Sequence, residues 1–275
     1  MFLILFKNLP LMNKTILSLV FLSLIFSCTT NNIENSILAV EPYEELKNEV
    51  IVLGTIHDGH LSENEYDTTV LKSIIQDINP DFILAEIPPD RFEAAMTEFI
   101  ETDTITESRV KRFPEYVNVI FPLTKTMNFE IIPTAGWTKP MSDDRNLKLK
   151  QISEDPNRKE DWNNYLSAYQ LSDSLIVASG HQFDPFWINS AEYDSLVEIE
   201  LSVYNTLFNV ELGLGGWDNI NKAHYWYINE FLNQHKNEGI RVLVTYGTGH
   251  KGWFLKELKK REDIKILDLT DIIAQ

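Results

Sequence analysis

The chain has 275 residues and is acidic, with 24 Lys and Arg against 41 Asp and Glu and a formal net charge of -17. Binding to nucleic acid requires an excess of cationic side chains to neutralise phosphates, so we expect no nucleic-acid partner. The hydrophobic fraction of 44% argues against a wholly disordered chain, and the single cysteine excludes an intramolecular disulfide or a site made of several thiolates.

The first predicted element is an apolar segment with the composition of a secretory signal. Lys14 precedes a run of mostly apolar residues that ends at Cys28. The run is too short to cross a bilayer comfortably as a helix, so it predicts a signal peptide over residues 1–27. Its last four residues, Ile25-Phe26-Ser27-Cys28, resemble a bacterial lipobox, in which the cysteine is lipidated. The alternative is a buried free cysteine after an ordinary signal peptide.

Cys28 is therefore the predicted lipidation site, and residues 28–47 are a predicted polar tether. The expected partner of this end of the chain is a membrane, reached through the lipid anchor. The expected location is the bacterial cell envelope, on the periplasmic or outer-membrane face. Because the folded part is acidic, attachment to anionic lipid would depend on acyl chains rather than on charge.

Residues 48–275 are predicted to form a single α/β domain that begins with a βαβ unit. Residues 49–53 and 81–86 have the apolar composition of buried strands. Ser62 and Glu65 have the spacing of a capping box. Helical periodicity follows in the residues Val70, Leu71, Ile74, Ile75 and Ile78. Strand, helix and strand with short connections form a predicted βαβ unit, which we expect to be parallel and right-handed.

Three further strands are predicted at residues 129–132, 241–245 and 264–267, with a short helix at 250–260. Between the third and fourth strands the pattern is helical from about residue 141 to residue 238. The sequence therefore predicts an α/β fold. Its βαβ elements at both ends of the chain form one mostly parallel sheet, and the middle is a large helical insertion.

The tetrapeptide pattern Gly-Thr-x-His occurs twice, each time after a predicted strand. The first copy ends at His57 and the second at His250, and Glu86 ends the second strand. Ligands of α/β sheets bind where the carboxyl ends of the strands meet, so these three side chains are expected at one edge. Such a set can bind a divalent metal ion or perform acid–base chemistry. Each residue alone also has an ordinary structural explanation. Either histidine could be a hydrogen-bonded loop residue, and Glu86 could be an N-cap or a surface charge.

These motifs resemble the TraB/TIKI-type superfamily, which is similar to erythromycin esterases and to haem-binding ChaN-like lipoproteins. The resemblance covers residues 49–100 and 240–268, and the helical middle resembles a bacterial branch of that superfamily. It implies a duplicated βαβ core and a metal-dependent hydrolase or protease. It also implies that His57, Glu86 and His250 are catalytic residues and ligands of Mn, Zn, Co or Fe. Members often carry an arginine on the helix before the last motif, and Lys222 is the nearest candidate here.

Weaker candidates lie beside these motifs. Asp58 and His60 follow His57 closely and are candidate extra ligands, and His224 lies on a helix expected to line a cleft or to pack half-exposed. The turn 249–252 precedes a predicted helix, so its amides and Lys251 are candidates for stabilising an oxyanion or a phosphate. Covalent acyl chemistry is disfavoured because no Gly-x-Ser-x-Gly motif is present, which leaves water activation as the simpler mechanism.

Two functions from different classes fit these observations. The first is a cell-envelope hydrolase in which metal-activated or histidine-activated water attacks an amide or ester of a small molecule or peptide. The second is a lipoprotein that binds haem or another small molecule without turnover. The aromatic content, with 6 Trp, 10 Tyr and 15 Phe, and the ChaN-like resemblance favour this second function.

Overall fold

A parallel β-sheet forms the centre of the computed structural model, which describes residues 46–273. The predicted signal peptide, Cys28 and most of the predicted tether lie outside these residues. The strands are β1 (Asn48–Thr55), β2 (Phe82–Ala85), β3 (Glu130–Pro133), β4 (Arg241–Gly247) and β5 (Ile264–Ile266). Their order is β3-β2-β4-β1-β5, and each neighbouring pair is parallel. The predicted α/β fold with one mostly parallel sheet is confirmed.

Helices connect the strands and fill the long segment between β3 and β4. A 3₁₀ turn (His57–Leu61) follows β1, and a π-helical segment (Glu115–Ile120) precedes α3. The α-helices are α1 (Thr68–Ile78), α2 (Pro89–Thr102), α3 (Phe121–Leu123), α4 (Lys139–Glu154), α5 (Lys159–Ser179), α6 (Pro185–Ile188), α7 (Ala191–Leu212), α8 (Trp217–Gln234), α9 (Thr248–Leu258) and α10 (Leu269–Ile273). None of these helices, all within the described part of the chain, is both long and apolar enough to cross a membrane.

Both faces of the sheet are buried, as parallel sheets require. In β4 the side chains alternate: Val242 and Val244 pack on one face against α8 and α9, whereas Leu243 packs on the other face. That other face is covered by α1 and by the segment from α2 to α3, through residues such as Ile75 and Phe121. This two-sided burial explains why the strands have continuous apolar runs rather than alternating ones.

The start of α1 differs from the prediction. Ser62 and Glu65 do not form a capping box, because Ser62 ends the 3₁₀ turn and the helix begins at Thr68. The Asp67 carboxylate instead accepts hydrogen bonds from the backbone N–H groups of Thr69 and Val70, both 2.8 Å long. A carboxylate at this position satisfies free amides and also interacts favourably with the helix dipole.

The insertion between β3 and β4 is helical, as predicted, and runs from α4 to α8. It has a small core of its own, in which Ile152 of α4 packs with Tyr204, Phe208 and Leu212 of α7. This core lies apart from the two clusters on the sheet faces. α4, α5 and α7 of the insertion therefore pack around a core of their own, whereas α8 packs on the sheet.

Candidate active site

The carboxyl ends of β1, β2 and β4 lie side by side at one edge of the sheet. Thr55 pairs with Gly247, and Ala85 pairs with Thr245. The three predicted site residues follow these strand ends. His57 and His250 line one cavity of about 570 Å³, and Oε2 of Glu86 lies 3.9 Å from Nε2 of His57. The structure therefore brings His57 and His250 to one cavity and places Glu86 beside His57.

The two Gly-Thr-x-His motifs contact one another through their glycines. A Cβ atom on Gly247 would lie 2.5 Å from Nε2 of His57, and a Cβ atom on Gly54 would lie 2.8 Å from Oγ1 of Thr248. Each motif thus begins with glycine because a residue of the other motif occupies the space of a side chain. The repeated pattern is the sequence signature of this mutual packing.

His57 is held in one orientation by a buried carboxylate. Its backbone has φ of 48°, in the left-handed region that is uncommon for residues other than glycine. The Nδ1 atom lies 2.6 Å from Oε1 of Glu115, which also accepts a 3.1 Å hydrogen bond from the Thr55 hydroxyl. Because the carboxylate is an acceptor, His57 donates from Nδ1 and its Nε2 keeps the lone pair.

His250 is oriented in the same way by an amide. Its Nδ1 lies 2.7 Å from Oδ1 of buried Asn221, whose Nδ2 donates to the carbonyl of Trp217. The His250 ring also stacks on Trp217, with a centroid distance of 4.7 Å. Nδ1 of His250 is therefore the donor, and Nε2 is again the acceptor.

The surroundings shift the pKa values of the two histidines in opposite directions. Burial lowers the pKa of His57, but its hydrogen bond to Glu115 and the charges of Glu115 and Glu86 raise it, and the result is above the ordinary value. Burial lowers the pKa of His250 and outweighs the opposite effect of Glu86. His250 is therefore neutral at neutral pH, and His57 is the stronger base.

Glu86 links the strand ends. It is 4% exposed, and its Oε2 accepts a 2.9 Å hydrogen bond from the backbone N–H of Gly247. Its own backbone N–H donates to the Tyr116 hydroxyl, which donates in turn to the carbonyl of Thr245. Glu86 is therefore neither a helix cap nor a surface charge.

Glu115 is a residue of this site that the sequence analysis missed. It is fully buried, and its Oε2 has no hydrogen-bond partner in the described structure. It begins the π-helical segment, a form that is common at functional sites. The sequence signal is a lone carboxylate in the otherwise uncharged segment 113–121.

The neighbouring histidines have structural roles. Both ring nitrogens of His60 bind the backbone: Nε2 accepts from the N–H of Ile56, and Nδ1 donates to the carbonyl of Tyr66. His224 is fully buried, accepts a 2.7 Å hydrogen bond from the N–H of Gly136, and packs edge-on against His250. Asp58 is exposed. Because both of its ring nitrogens are engaged by the backbone, His60 is not available as an additional ligand.

The structure does not bring Lys222 to the cavity. Its side chain is exposed on α8 and forms an ion pair with Asp218 one turn earlier. The cavity instead receives a guanidinium from Arg145 of α4, which no sequence pattern indicated.

Lys251 does not serve an oxyanion turn. It lies inside α9, which already begins at Thr248, and its side chain is 1% exposed with Nζ 2.6 Å from Asp194 of α7. The expectation that Lys251 assists anion binding is therefore wrong, because its charge is neutralised within the fold.

The side-chain atoms of the site are of the types that bind divalent metal ions. Nε2 of His57 and Nε2 of His250 carry lone pairs, and Glu86 adds a carboxylate oxygen beside His57. An oxygen acceptor behind Nδ1, as in both histidines, is the usual support of a metal-bound imidazole. Among residues 46–273, no group of three or more His, Cys, Asp or Glu side chains is already arranged around a common point.

Comparisons with known proteins found no matching family model, no similar curated protein and no matching solved structure. The resemblance to the TraB/TIKI-type superfamily therefore stays a prediction based on the two Gly-x-x-His motifs and Glu86.

Proposed function

We propose that the protein is a hydrolase of the bacterial cell envelope that uses activated water to cleave an amide or ester. The observation that carries this proposal is the pair formed by Glu115 and His57. A buried carboxylate lies 2.6 Å from Nδ1, while the imidazole itself lines a cavity. This arrangement holds the tautomer of a general base and stabilises the imidazolium that forms when the base accepts a proton.

The groups of the site have complementary roles in this reaction. Nε2 of His57 accepts a proton from water as the water oxygen attacks the carbonyl carbon. The imidazolium, stabilised by Glu115, then returns the proton to the leaving nitrogen or oxygen as its bond to carbon breaks. Neutral His250 accepts a hydrogen bond at Nε2 and orients the water or the substrate.

His57, Glu86 and His250 are also the residues that would hold Mn, Zn, Co or Fe. Such an ion, when bound, lowers the pKa of a bound water and polarises the carbonyl of the substrate. The lone pairs on both Nε2 atoms and the carboxylate of Glu86 support this version of the proposal, because all three groups are acceptors.

The cavity walls favour a small-molecule or peptide substrate with an apolar or aromatic portion. Tyrosine and aliphatic residues of α5 and α7 line the same cavity as the two histidines, among them Tyr165, Tyr169, Ile176, Tyr193 and Leu201. Cavities of this size and composition bind small molecules in many proteins.

A panel of amide and ester substrates, assayed with the wild type and with single variants, tests the hydrolase. We expect His57→Asn to lower the rate by about 10²- to 10⁴-fold, the usual contribution of a general base. His181→Asn is the matched control, because His181 is exposed and does not line the cavity. Full activity of His57→Asn would contradict the proposal.

Elemental analysis of the same proteins separates the two forms of water activation. Stoichiometric metal in the wild type that is lost in His57→Ala and His250→Ala supports metal activation. Activity that persists in a metal-free protein after treatment with a chelator supports activation by His57 alone.

Non-catalytic binding of haem is the second candidate function. The observation that favours it is the stacking of Trp217 on His250 beside a cavity rich in tyrosine. Titration with haemin tests it: binding through these histidines predicts a Soret shift in the wild type that is lost in His57→Ala and His250→Ala. Absence of any shift would rule out this function.

The proposed lipid anchor is tested separately, since Cys28 lies outside the described residues. We expect the wild type to partition into the detergent phase of a cloud-point extraction and Cys28→Ala to remain in the aqueous phase. Identical partitioning of the two proteins would show that Cys28 is not lipidated.

A further inference from the structure

A second cavity, of about 460 Å³, is strongly basic although the protein is acidic. Its walls come from the start of α2, the 3₁₀ turn Val110–Arg112 and the first half of α4. Five cationic side chains line it: Arg91, Arg109, Arg112, Lys139 and Arg145. In a chain with net charge -17, a cavity lined by five cations and only two carboxylates attracts anions against the general field of the protein.

Two of these five cations are paired with carboxylates of the protein. Lys139 lies 2.5 Å from Asp143, the acidic residue one turn later on α4. Arg91 lies 3.2 Å from Asp90 and 3.9 Å from Glu107. Asp90 and Asp143 are the acidic residues that line the cavity, so its carboxylates are already engaged.

The other three cations have no carboxylate within 4.0 Å among the residues that the structure describes. Arg109 lies over the ring of Phe113, with its guanidinium carbon 4.9 Å from the centroid. Arg145 lies over the ring of Trp137 and donates to the Tyr204 hydroxyl. Arg112 is exposed. Aromatic faces orient Arg109 and Arg145 while leaving N–H groups for an anion.

This basic cavity adjoins the candidate active site. Arg145 lines both cavities, so the two cavities share part of a wall. Phe113, beneath Arg109, packs against the His57 ring with a centroid distance of 4.8 Å. An anionic group bound among the arginines would therefore lie beside the wall that holds His57.

We propose that the basic cavity binds the phosphate group of a phosphorylated small molecule whose remaining part occupies the cavity of His57 and His250. A phosphate carries nearly two negative charges and three acceptor oxygens on one phosphorus atom at neutral pH. This suits three unpaired guanidinium groups better than carboxylates do, because even a dicarboxylate divides its charge and oxygens between two separate groups. That this molecule is the substrate rests on the proposed hydrolase function, whereas phosphate binding itself does not.

Isothermal titration calorimetry of the full-length protein in detergent, at low ionic strength, tests the site with inorganic phosphate and with malonate. We expect phosphate to bind more tightly than malonate. Arg112→Gln and Arg145→Gln should each weaken phosphate binding about tenfold, the usual cost of losing one charge-assisted hydrogen bond. Because Arg112 is exposed, we expect its replacement to leave the stability of the fold unchanged.

Lys111→Gln is the matched control, since Lys111 is exposed, carries the same charge and neighbours Arg112 without lining the cavity. We expect it to change phosphate affinity by less than about twofold, as is typical for an isolated surface charge. Equal weakening by Lys111→Gln and Arg112→Gln, unchanged binding in Arg112→Gln, or malonate binding as tight as phosphate binding would each overturn the proposal.

Two further measurements distinguish this proposal from the hydrolase proposal. His57→Asn should retain the phosphate affinity of the wild type, because His57 does not line the basic cavity. If phosphorylated esters are hydrolysed, Arg112→Gln should raise KM and leave kcat unchanged. Phosphate binding in a wild type that hydrolyses nothing would support the basic cavity and contradict the hydrolase.

Discussion

Glu115 and His57 are 58 positions apart in the chain, yet Oε1 of Glu115 lies 2.6 Å from Nδ1 of His57. The carboxylate is buried beneath the histidine, and the Thr55 hydroxyl donates to the same oxygen. The buried charge of Glu115 therefore reaches the cavity through its hydrogen bond to His57, whose ring lines the cavity.

Glu115→Gln should lower the pKa of His57 in the metal-free protein. The amide can still accept the Nδ1 hydrogen bond but lacks the charge that stabilises the imidazolium, so the uncharged ring is favoured. NMR titration of the ring protons measures this change. Hydrolysis should fall by about 10²-fold or more, because the base has lost its orienting carboxylate.

Glu130→Gln is the control for this variant, since Glu130 is exposed at the start of β3, away from the carboxyl-terminal edge. A His57 pKa that is the same in the wild type and in Glu115→Gln would contradict the role assigned to Glu115.

Gly247→Ala should displace the His57 ring. Gly247 has a φ of -49°, which alanine adopts freely, so the effect is steric: the new Cβ atom would lie 2.5 Å from Nε2 of His57. Gly249→Ala is the matched control in the same motif, because its Cβ atom would have an ordinary contact of 3.5 Å with Trp217. Hydrolytic activity and the NMR resonances of the His57 ring should both change in Gly247→Ala. Both should stay as in the wild type in Gly249→Ala.

Stability should depend on pH through His224. Burial holds the pKa of His224 well below its ordinary value. Below a pH of about 6.5, His224 therefore binds a proton in the unfolded chain but not in the native protein. This difference lowers the free energy of unfolding by about 1.4 kcal/mol for each pH unit below that value. Stability from this group falls as the pH drops from about 7 to about 5.

His57 has the opposite sign, so a variant is needed to isolate His224. The raised pKa of His57 contributes stability that is present below a pH of about 6.5 and is lost as the pH rises through its folded value. Urea unfolding of His224→Asn, whose Oδ1 can still accept from Gly136, should show a smaller loss of stability between pH 7 and pH 5 than the wild type. Equal pH dependence in both proteins would show that His224 titrates normally in the fold.

Asp194→Asn should destabilise the protein more than a surface change does. Asp194 of α7 lies 2.6 Å from Lys251 of α9, whose side chain is 1% exposed, so the variant leaves a buried ammonium without its counter-charge. Removal of one partner of such a pair typically costs about 3–5 kcal/mol. The double variant Asp194→Asn with Lys251→Met should recover part of this loss in urea unfolding. Equal stability of Asp194→Asn and the wild type would contradict this role.

The positions of the five strands were predictable from the sequence, because strands buried on both faces of a parallel sheet need continuous apolar runs. The location of the two Gly-Thr-x-His motifs and Glu86 at one edge of the sheet was predictable for a related reason. Each follows a strand, and the carboxyl ends of parallel strands meet at one edge. The capping box of α1 was not predicted correctly, because Asp67 competes with Ser62 for the same role and lies closer to the apolar helical pattern.

The sequence by itself determined the parallel sheet, its helical insertion and the meeting of His57 with Glu86. Only the tertiary structure decided that Glu115 supports His57, that Arg145 rather than Lys222 reaches the cavity, and that Lys251 is neutralised by Asp194. These contacts join residues far apart in the chain, and each depends on how helices of no distinctive pattern pack over the strand ends. Local periodicity carries no information about such packing, because it records which face of an element is buried and not what lies against it.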